Sequence, residues 1–384
     1  MAERDALGFG RQRPGIADKL LNLNWGLVLL IAVIAGIGFA MLYSAANGSW
    51  QPWAGKQAIR FGVALCVMIA AAMVDIRFWL RSAYWIFAAV LVLLVGVELH
   101  GAAGMGAQRW IDLGVIQLQP SELMKIALVL ALAKYFHAFQ LEDFDRPHLF
   151  AVPGLMILMP AALVLKQPDL GTALMLLAGG VAMFFLAGVR WWLFATVMAA
   201  GAGAVPLIWN HLRDYQKNRI YTFLDPESDP LGAGYHSLQS KIAIGSGGVF
   251  GKGFGEGTQA HLSFLPERQT DFIFTMLAEE FGLIGGLALL AIYVLVFIYG
   301  FAIALRSRSN FGRLLGLGIV TNFFLYAFIN IAMVMGLLPV VGVPLPLVSY
   351  GGTAMLTIMF GFGLLLGVYI NRDARIGRFG ETET

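Results

Sequence analysis

Charged residues are scarce in this chain. Only 13% of its 384 residues are Asp, Glu, Lys or Arg, whereas 59% are hydrophobic. Soluble domains carry about 25% charged residues, and the mean hydropathy here is +0.75. The composition excludes a soluble globular protein and predicts an integral membrane protein.

Cysteine and the familiar catalytic motifs are also lacking. Because Cys66 is the only cysteine, an intramolecular disulfide is excluded. The six histidines are scattered, so no His/Cys cluster has metal-ligand spacing. The sequence contains no HExxH and no Gly-x-Ser-x-Gly, and its glycine-rich run 244–257 matches no P-loop. A net charge of +3, spread over short loops, offers no patch for a nucleic acid.

Long apolar runs dominate instead. Since a membrane-spanning helix needs roughly 20 apolar residues, we predict an all-α, polytopic membrane protein. The sequence contains about ten predicted spans: 24–44, 56–74, 82–98, 121–138, 149–165, 170–188, 191–209, 283–304, 313–336 and 347–370. This divides the chain into a tail at 1–23, a membrane domain at 24–370 and a tail at 371–384. The first run is longer than a signal-peptide core, so we expect an uncleaved span.

Basic residues are distributed unevenly between the two sides of the predicted bundle. The short loops of one side hold only Lys56, Arg109 and Lys166, whereas most other Lys and Arg residues belong to the opposite side and the tails. The positive-inside rule therefore predicts that both termini are cytoplasmic.

Three unusual segments then share the outer side. They are the loop 99–120, the long loop at about 210–282 and the proline- and glycine-broken segment 339–352. Broken backbone at membrane depth is tolerated where it is buried or lines a cavity. We therefore expect a polar cavity that opens outward, with Ser349 and Tyr350 among its residues.

The segment FLPERQTDFIFTMLAEEFG, residues 264–282, places acids beside a span. Ionised groups at membrane depth are costly and usually mark functional sites. We expect Gly282 to separate a short outer helix from the span that follows, with Thr270 as the N-cap. Asp271 would then lie in the first helical turn, where stabilisation by the helix dipole explains it as well as catalysis does.

Further polar residues occur at other predicted helix starts on this side. Glu122 and Lys125 are i, i+3 neighbours and can pair. Asp169 can act as an N-cap, and Arg109 beside Trp110 can anchor the chain at the interface. Each has a purely structural explanation, but together they are consistent with a shared cavity in which cations could hold a phosphate-bearing ligand.

The chain resembles a known family through four segments in fixed order: RWIDLGVIQLQPSELMKIAL, KQPDLGTAL, FLPERQTDFIFTMLAEEFG and VVGVPLPLVSYGG. They are similar to the signature segments of the SEDS proteins (shape, elongation, division and sporulation), from about residue 20 to about residue 370. The segment NIAMVMGLLPVVGVPLPLVSYGG is more similar to the elongation branch than to the division branch. One departure is Thr353-Ala354, where many relatives carry two serines, and we expect it to leave activity intact.

The resemblance implies a peptidoglycan glycosyltransferase that polymerises lipid II on the outer face of the cytoplasmic (inner) membrane. The family's essential aspartate matches Asp271, which implies a general base. Glu122 and Lys125 match cavity residues of the family, and Asp169 and Glu267 are carried over as cavity-lining or loop-ordering residues. Arg109 and Lys125 suit the charge of a pyrophosphate leaving group, and a divalent cation (Mg or Mn) could assist. No organic cofactor is expected.

The resemblance also implies partners, namely a class B penicillin-binding protein and the elongation machinery, and the apolar faces near 283–335 are the expected docking region. Two other functions remain open. A lipid II flippase also fits a bundle with broken helices, although its polar groups should continue through the midplane. A non-catalytic scaffold would leave the acids unexplained and should tolerate Asp271→Asn.

Overall fold

The computed structural model describes residues 15–100, 102–104, 107–112, 117–139, 147–211, 214–226, 233–261, 267–374 and 376–377. Three parts of the chain lie outside the described residues: the first 14 residues, residues 375 and 378–384 of the C-terminal tail, and parts of the long loops, including 264–266. The helices are α1 (Ile16–Leu21), α2 (Trp25–Ala45), α3 (Ala54–Met73), α4 (Ile76–His100), α5 (Pro120–His137), α6 (Ala151–Lys166), α7 (Leu170–Ala187), α8 (Trp191–His211), α9 (Asp214–Leu224), α10 (Ala233–Ser246), α11 (Thr258–His261), α12 (Ile273–Leu305), α13 (Asn310–Val334) and α14 (Gly352–Ile370). The strands are β1 (Ala102–Gly104), β2 (Ala107–Asp112) and β3 (Gln117–Leu118).

Eight helices in the described part of the chain are long and apolar enough to cross a membrane: α2, α3, α4, α6, α7, α12, α13 and α14. The other two predicted spans also form helices. α5 carries three charged residues, and the apolar stretch described in α8, Trp191–Pro206, is shorter. The prediction of a polytopic, all-α membrane protein is confirmed. The small antiparallel sheet β1–β2–β3, which lies in the 99–120 loop, is not anticipated by the apolar pattern.

The centre of the bundle is formed by α5, α13 and α14. About two thirds or more of α13 and α14 is buried within the protein, 67% and 72%, against 22% for α4. Nearly every described residue of α5 is buried, including Glu122 and Lys125. Because α5 is surrounded by other helices, its charged side chains meet protein groups instead of lipid.

The last predicted span begins later than expected, since 347–351 is not helical and α14 starts at Gly352. The polar groups of this segment bond to other parts of the protein. The Gln57 side chain on α3 donates from Nε2 to the Ser349 carbonyl at 2.9 Å. A backbone whose groups bond elsewhere cannot also close helical turns.

The expected break in α12 occurs at Gly282, where φ is 64° and ψ is −160°. The glycine-rich segment 247–257 supplies hydrogen-bond partners on both sides of the break. The Leu283 N–H donates to the Gly248 carbonyl at 2.9 Å, and the Gly253 N–H donates to the Glu280 carbonyl at 3.0 Å. The break is therefore satisfied within the protein, as a membrane environment requires.

The expected N-cap, Thr270, is wrong. The N-cap of α12 is Phe272, and Asp271 precedes the helix instead of lying in its first turn. The Thr270 hydroxyl is used locally, because it donates to the Glu267 carboxylate at 2.9 Å and also lies 3.3 Å from the Glu267 carbonyl. The turn 267–270 thus closes on itself before the helix begins.

Gly282→Ala should lower the stability of the protein. Its φ of 64° is unfavourable for a residue with a Cβ, and that Cβ would lie 2.6 Å from the Val249 carbonyl oxygen. We expect destabilisation of about 1–3 kcal/mol or more, measured by thermal unfolding in detergent. Gly62→Ala on α3 is the matched control, because nothing lies within 4 Å of its Cβ position. Equal stability of the two variants would contradict a required glycine.

Candidate active site at the start of α12

Asp271 lies between the turn 267–270 and α12, against the non-helical segment 339–351. Gly342 has a φ of +73°, which favours glycine, and a Cβ there would lie 3.4 Å from Asp271 Oδ2, so the carboxylate is adjacent to Gly342. The Asp271 carbonyl accepts a hydrogen bond from Asn330 Nδ2 on α13 at 2.9 Å. The carboxylate is therefore placed by elements far apart in the sequence.

The environment of Asp271 raises the pKa of its carboxyl group above that of an ordinary aspartate. Burial, together with the nearby Glu267 and Asp169 carboxylates, raises the pKa of Asp271 to about 6, while Arg219 on α9 acts in the opposite direction. A carboxylate whose pKa approaches the working pH is a better proton acceptor than an ordinary aspartate, yet it is still ionised at neutral pH. These are the properties of a general base.

A second polar cluster is buried between α5 and α13. Lys125 Nζ lies 2.6 Å from Glu122 Oε1, which confirms the predicted i, i+3 pair. The Tyr326 hydroxyl donates to the other oxygen of Glu122, and Lys125 Nζ lies 4.2 Å from the centre of the Tyr326 ring. Sequence reasoning missed Tyr326. The available signal was a tyrosine inside an apolar span, whose hydroxyl needs a partner when buried.

Asp169 connects the starts of α5 and α7. Its Oδ1 accepts from the Thr172 N–H at 3.1 Å, which confirms the predicted N-cap. Its Oδ2 accepts a hydrogen bond of 3.2 Å from the side-chain Nε2 of Gln119, which is the residue before α5. These contacts bring the Glu122–Lys125 end of α5 beside Asp169, which is also within electrostatic reach of Asp271.

Arg109 lies on β2 and holds the connection between α6 and α7. Its Nε donates to the Gln167 carbonyl at 3.0 Å, and its Nη2 donates to the Pro168 carbonyl at 2.5 Å. The guanidinium thus orders the loop that leads into Asp169. Binding of a substrate phosphate by Arg109 stays a prediction.

Ser349 and Tyr350 contact the Asp271 segment through its backbone. Ser349 Oγ donates to the Thr270 carbonyl at 2.5 Å, and the Tyr350 N–H donates to the Gln269 carbonyl at 2.8 Å. The guanidinium of Arg60, on α3, lies 4.7 Å from the centre of the Tyr350 ring. Substrate binding by Ser349 and Tyr350 also stays a prediction.

Sequence reasoning missed three further residues at this end of the bundle, Arg60, Arg219 and Asn330. Arg60 could have been found, because it is a cation inside the predicted span 56–74 and intramembrane cations are usually functional. Arg219 and Asn330 offered no local signal, since their proximity to Asp271 depends on how distant segments pack.

Comparison with known proteins defines the family. The family model for FtsW, RodA and SpoVE, described as cell cycle protein, matches residues 19–374. The chain belongs to this family. It is 44% identical over 349 residues to the peptidoglycan glycosyltransferase MrdB of Escherichia coli, covering 90% of this chain and 93% of MrdB. The resemblance to SEDS proteins is thereby confirmed.

Two solved structures share the fold of this FtsW/RodA/SpoVE family member. One comes from work on structural coordination of polymerization and crosslinking by a peptidoglycan synthase complex, with a TM-score of 0.79, 33% identity and coverage of 91% of this chain and 98% of that chain. The other is the rod shape determining protein RodA of Thermus thermophilus, with a TM-score of 0.69, 31% identity and coverage of 91% and 97%. With its apolar helices and its MrdB relative, the chain is a multi-pass inner-membrane protein.

Within the described ranges, no group of three or more His, Cys, Asp or Glu residues could hold a metal ion. Asp271, Glu267 and Asp169 are close enough to interact electrostatically without forming such a group. A divalent cation at this site stays a prediction.

Asp271→Asn should stabilise the folded protein at neutral pH. Between about pH 4 and pH 6 the folded protein keeps a proton on Asp271 that the unfolded chain has released, so stability falls as pH rises through this window. At neutral pH the ionised carboxylate destabilises the fold by about 1–3 kcal/mol. We expect a higher midpoint of thermal unfolding for the variant at about pH 7.5, with the difference vanishing below about pH 4.

The control is Glu98→Gln, which neutralises an exposed acid on α4 and should leave the midpoint unchanged. A lower midpoint for Asp271→Asn at neutral pH would instead mean that cations, among them Arg219, stabilise the ionised carboxylate more than burial destabilises it.

Proposed function

We propose that Asp271 is the general base of a glycosyl transfer that polymerises lipid II at the outer face of the cytoplasmic membrane. The chain is a peptidoglycan glycosyltransferase, since it belongs to the FtsW/RodA/SpoVE family and matches a relative of that name over nearly the whole of both chains. Its similarity to MrdB and to a rod shape determining RodA supports a role in cell elongation.

The reaction joins a hydroxyl of one lipid II sugar to the anomeric carbon of another. The new bond forms between the hydroxyl oxygen and that carbon, while the bond from the carbon to the lipid pyrophosphate breaks. The hydroxyl proton passes to the Asp271 carboxylate, which contributes typically about 10²–10⁴-fold in rate. The pyrophosphate leaves with the bond electrons as an anion, so it needs cations in place of a general acid.

Cations near the site differ in how much of their positive charge is already balanced by a neighbouring carboxylate. Lys125 is neutralised by Glu122 at 2.6 Å, so this buried pair is close to neutral overall. Arg60 on α3 lies over the Tyr350 ring, and Arg219 on α9 interacts electrostatically with Asp271. Both arginines therefore add positive charge at the same end of the bundle. We assign pyrophosphate binding to these arginines together with Lys125 and Arg109, with Mg or Mn as an additional cation.

The observation that carries the proposal is the placement of the buried Asp, Glu and Lys side chains of the described chain at a single end of the bundle. The buried acids and amines of the described chain are Glu122, Lys125, Asp169, Glu279 and Glu280. All of them lie at or near the starts of α5 and α7 or in α12 before its break. A flippase should carry such groups through the midplane, so glycosyl transfer at one face is favoured.

We also propose that a class B penicillin-binding protein docks on the groove between α12 and α13. This groove has a volume of about 260 Å³ and a lining of apolar side chains such as Leu290, Phe297 and Ala327. At its rim Phe324 and Phe328 are exposed by 43% and 52%. Apolar side chains from the partner's single membrane helix would pack into this groove. The structural relative from a peptidoglycan synthase complex supports such an assembly.

Sidedness completes the proposal. Both termini are cytoplasmic by the distribution of Lys and Arg in the short loops. Asp271 and the segment 339–351 then lie on the outer side, at the depth of lipid headgroups. Both substrates reach this depth with their sugars and phosphates in the site and their polyprenyl chains in the bilayer.

The direct test is polymerisation of lipid II by the purified protein with its transpeptidase partner, whose own nucleophile is inactivated. With a divalent cation present, the parent should form glycan chains, and its rate should rise with pH through about 6 as Asp271 loses its proton. Asp271→Asn should lower the rate by about 10²–10⁴-fold, whereas Glu98→Gln should retain it.

Each alternative predicts a different result. Equal polymer from the parent and Asp271→Asn would exclude the base and direct attention to Glu122 or Glu267. Absence of polymer from both, together with transfer of lipid II across vesicle membranes, would support the flippase.

Removal of the two rim aromatics should weaken partner binding. In Phe324→Ala with Phe328→Ala the groove loses the side chains that would enclose the partner's helix, so we expect at least about a tenfold loss of affinity. Co-purification in detergent or fluorescence energy transfer in vesicles measures this. The control pair is Leu155→Ala with Leu158→Ala on α6, where both leucines are exposed by 58% and 60%. An equal effect of the two pairs would place the interface elsewhere.

A further inference from the structure

The main-chain carbonyls of Gln269, Thr270 and Asp271 each accept a hydrogen bond from a different donor. The Tyr350 N–H donates to Gln269 at 2.8 Å. Ser349 Oγ donates to Thr270 at 2.5 Å. Asn330 Nδ2 donates to Asp271 itself at 2.9 Å. The segment that carries the carboxylate is therefore fixed along its backbone, residue by residue.

Asn330 differs from the other two donors because it joins three elements. It belongs to α13, and the same Nδ2 that bonds Asp271 also donates to the Val343 carbonyl at 2.7 Å. Both partners are carbonyl oxygens, so the amide must present its N–H₂ group to them. One side chain on α13 thus ties the Asp271 carbonyl to the Val343 carbonyl of segment 339–351.

The amide of Asn330 is buried at a cost. The residue is 0% exposed, and within the described chain its Oδ1 has no hydrogen-bond partner. An unsatisfied buried acceptor destabilises the fold, and a leucine of similar shape would avoid this cost. The value of an asparagine here lies in its two donated hydrogen bonds.

We propose that Asn330 is a positioning residue for the reaction, which holds the Asp271 carboxylate against Gly342 by bonding the Asp271 and Val343 carbonyls together. Its catalytic meaning rests on the proposed function of Asp271. The geometric part, a carboxylate whose surroundings depend on Asn330, stands independently.

The expected consequence is large because general-base catalysis is sensitive to placement. A displacement of about 1 Å can lower a rate by about 10²-fold. Without the Asn330 bonds, the turn before α12 could move away from segment 339–351 and admit water to the carboxylate. The charged groups that face Asp271 are Glu267 on its own turn, Arg219 on α9 and Asp169 at the start of α7. Asn330 is neutral and acts on Asp271 only through position and solvation.

The test uses Asn330→Leu in the full chain, with Ser240→Ala as the matched control. Ser240 Oγ lies 2.7 Å from both Thr275 Oγ1 and the Val334 carbonyl, so its removal also breaks two buried hydrogen bonds near the end of α13. None of these bonds involves residues 269–271. Any general loss of stability should therefore affect both variants.

The first measurement requires no substrate. The carboxylic acid band of Asp271 is followed by infrared difference spectroscopy against pH, and its identity is established by its absence in Asp271→Asn. In the parent and in Ser240→Ala we expect a midpoint near pH 6. In Asn330→Leu water should reach the carboxylate, and the midpoint should move by about one unit or more toward the ordinary aspartate value.

The second measurement is kcat and KM for lipid II polymerisation. Asn330→Leu should lower kcat by about 10–100-fold with KM changed less than about threefold, and the acid limb of the pH–rate profile should move with the infrared midpoint. An unchanged infrared midpoint, or a loss of activity no greater than that of Ser240→Ala, would overturn the proposal.

The two measurements separate this inference from the proposed function. Suppose that the infrared midpoint shifts in Asn330→Leu while the parent protein makes no polymer. The inference that Asn330 positions Asp271 would then stand, and the proposed glycosyl transfer would be rejected. If Asn330→Leu is not recovered as folded protein, Asn330→Ser replaces it. Serine keeps one donor, so the shift and the loss of kcat should have the same direction and a smaller size; no shift there would also overturn the proposal.

Discussion

Backbone that leaves helical geometry inside a membrane protein must find its hydrogen-bond partners within the protein, because lipid offers none. In this chain two such segments, 267–272 and 339–351, satisfy each other, with Asn330 between them. Asp271 belongs to one of these segments, so the bonds that permit the break also place the carboxylate.

The Glu122–Lys125 pair and Asp271 have different electrostatic environments, although both lie at this end of the bundle. Glu122 and Lys125 form a compact pair, and Tyr326 donates to the remaining carboxylate oxygen, so buried charge is neutralised on all sides. Burial raises the pKa of Asp271 instead, and the Glu267 and Asp169 carboxylates act in the same direction, whereas Arg219 lowers it. A fully paired carboxylate is a poor proton acceptor, whereas a destabilised one is a good acceptor.

The break at Gly282 gives α12 two functions. The part before the break is buried and follows directly from Asp271, while the part after it crosses the membrane and forms one wall of the apolar groove. The glycine-rich segment holds the break, and Lys252 fastens that segment to Glu279 at 2.7 Å. A partner bound to the groove would therefore contact the same helix whose N-terminal end follows Asp271.

The sequence by itself determined the class of protein, the approximate spans, the break in α12 and the family, because apolar length, glycine position and ordered motifs are local properties. Among the polar contacts it also determined those within one helical turn, such as Glu122 with Lys125 and the cap at Asp169. Only the tertiary structure decided which distant side chains meet. Tyr326 reaches Glu122 across 204 positions, and Asn330 reaches Asp271 across 59. Helices that are apolar on every side carry no periodic pattern that reveals their rotation, so contacts between them follow from packing alone.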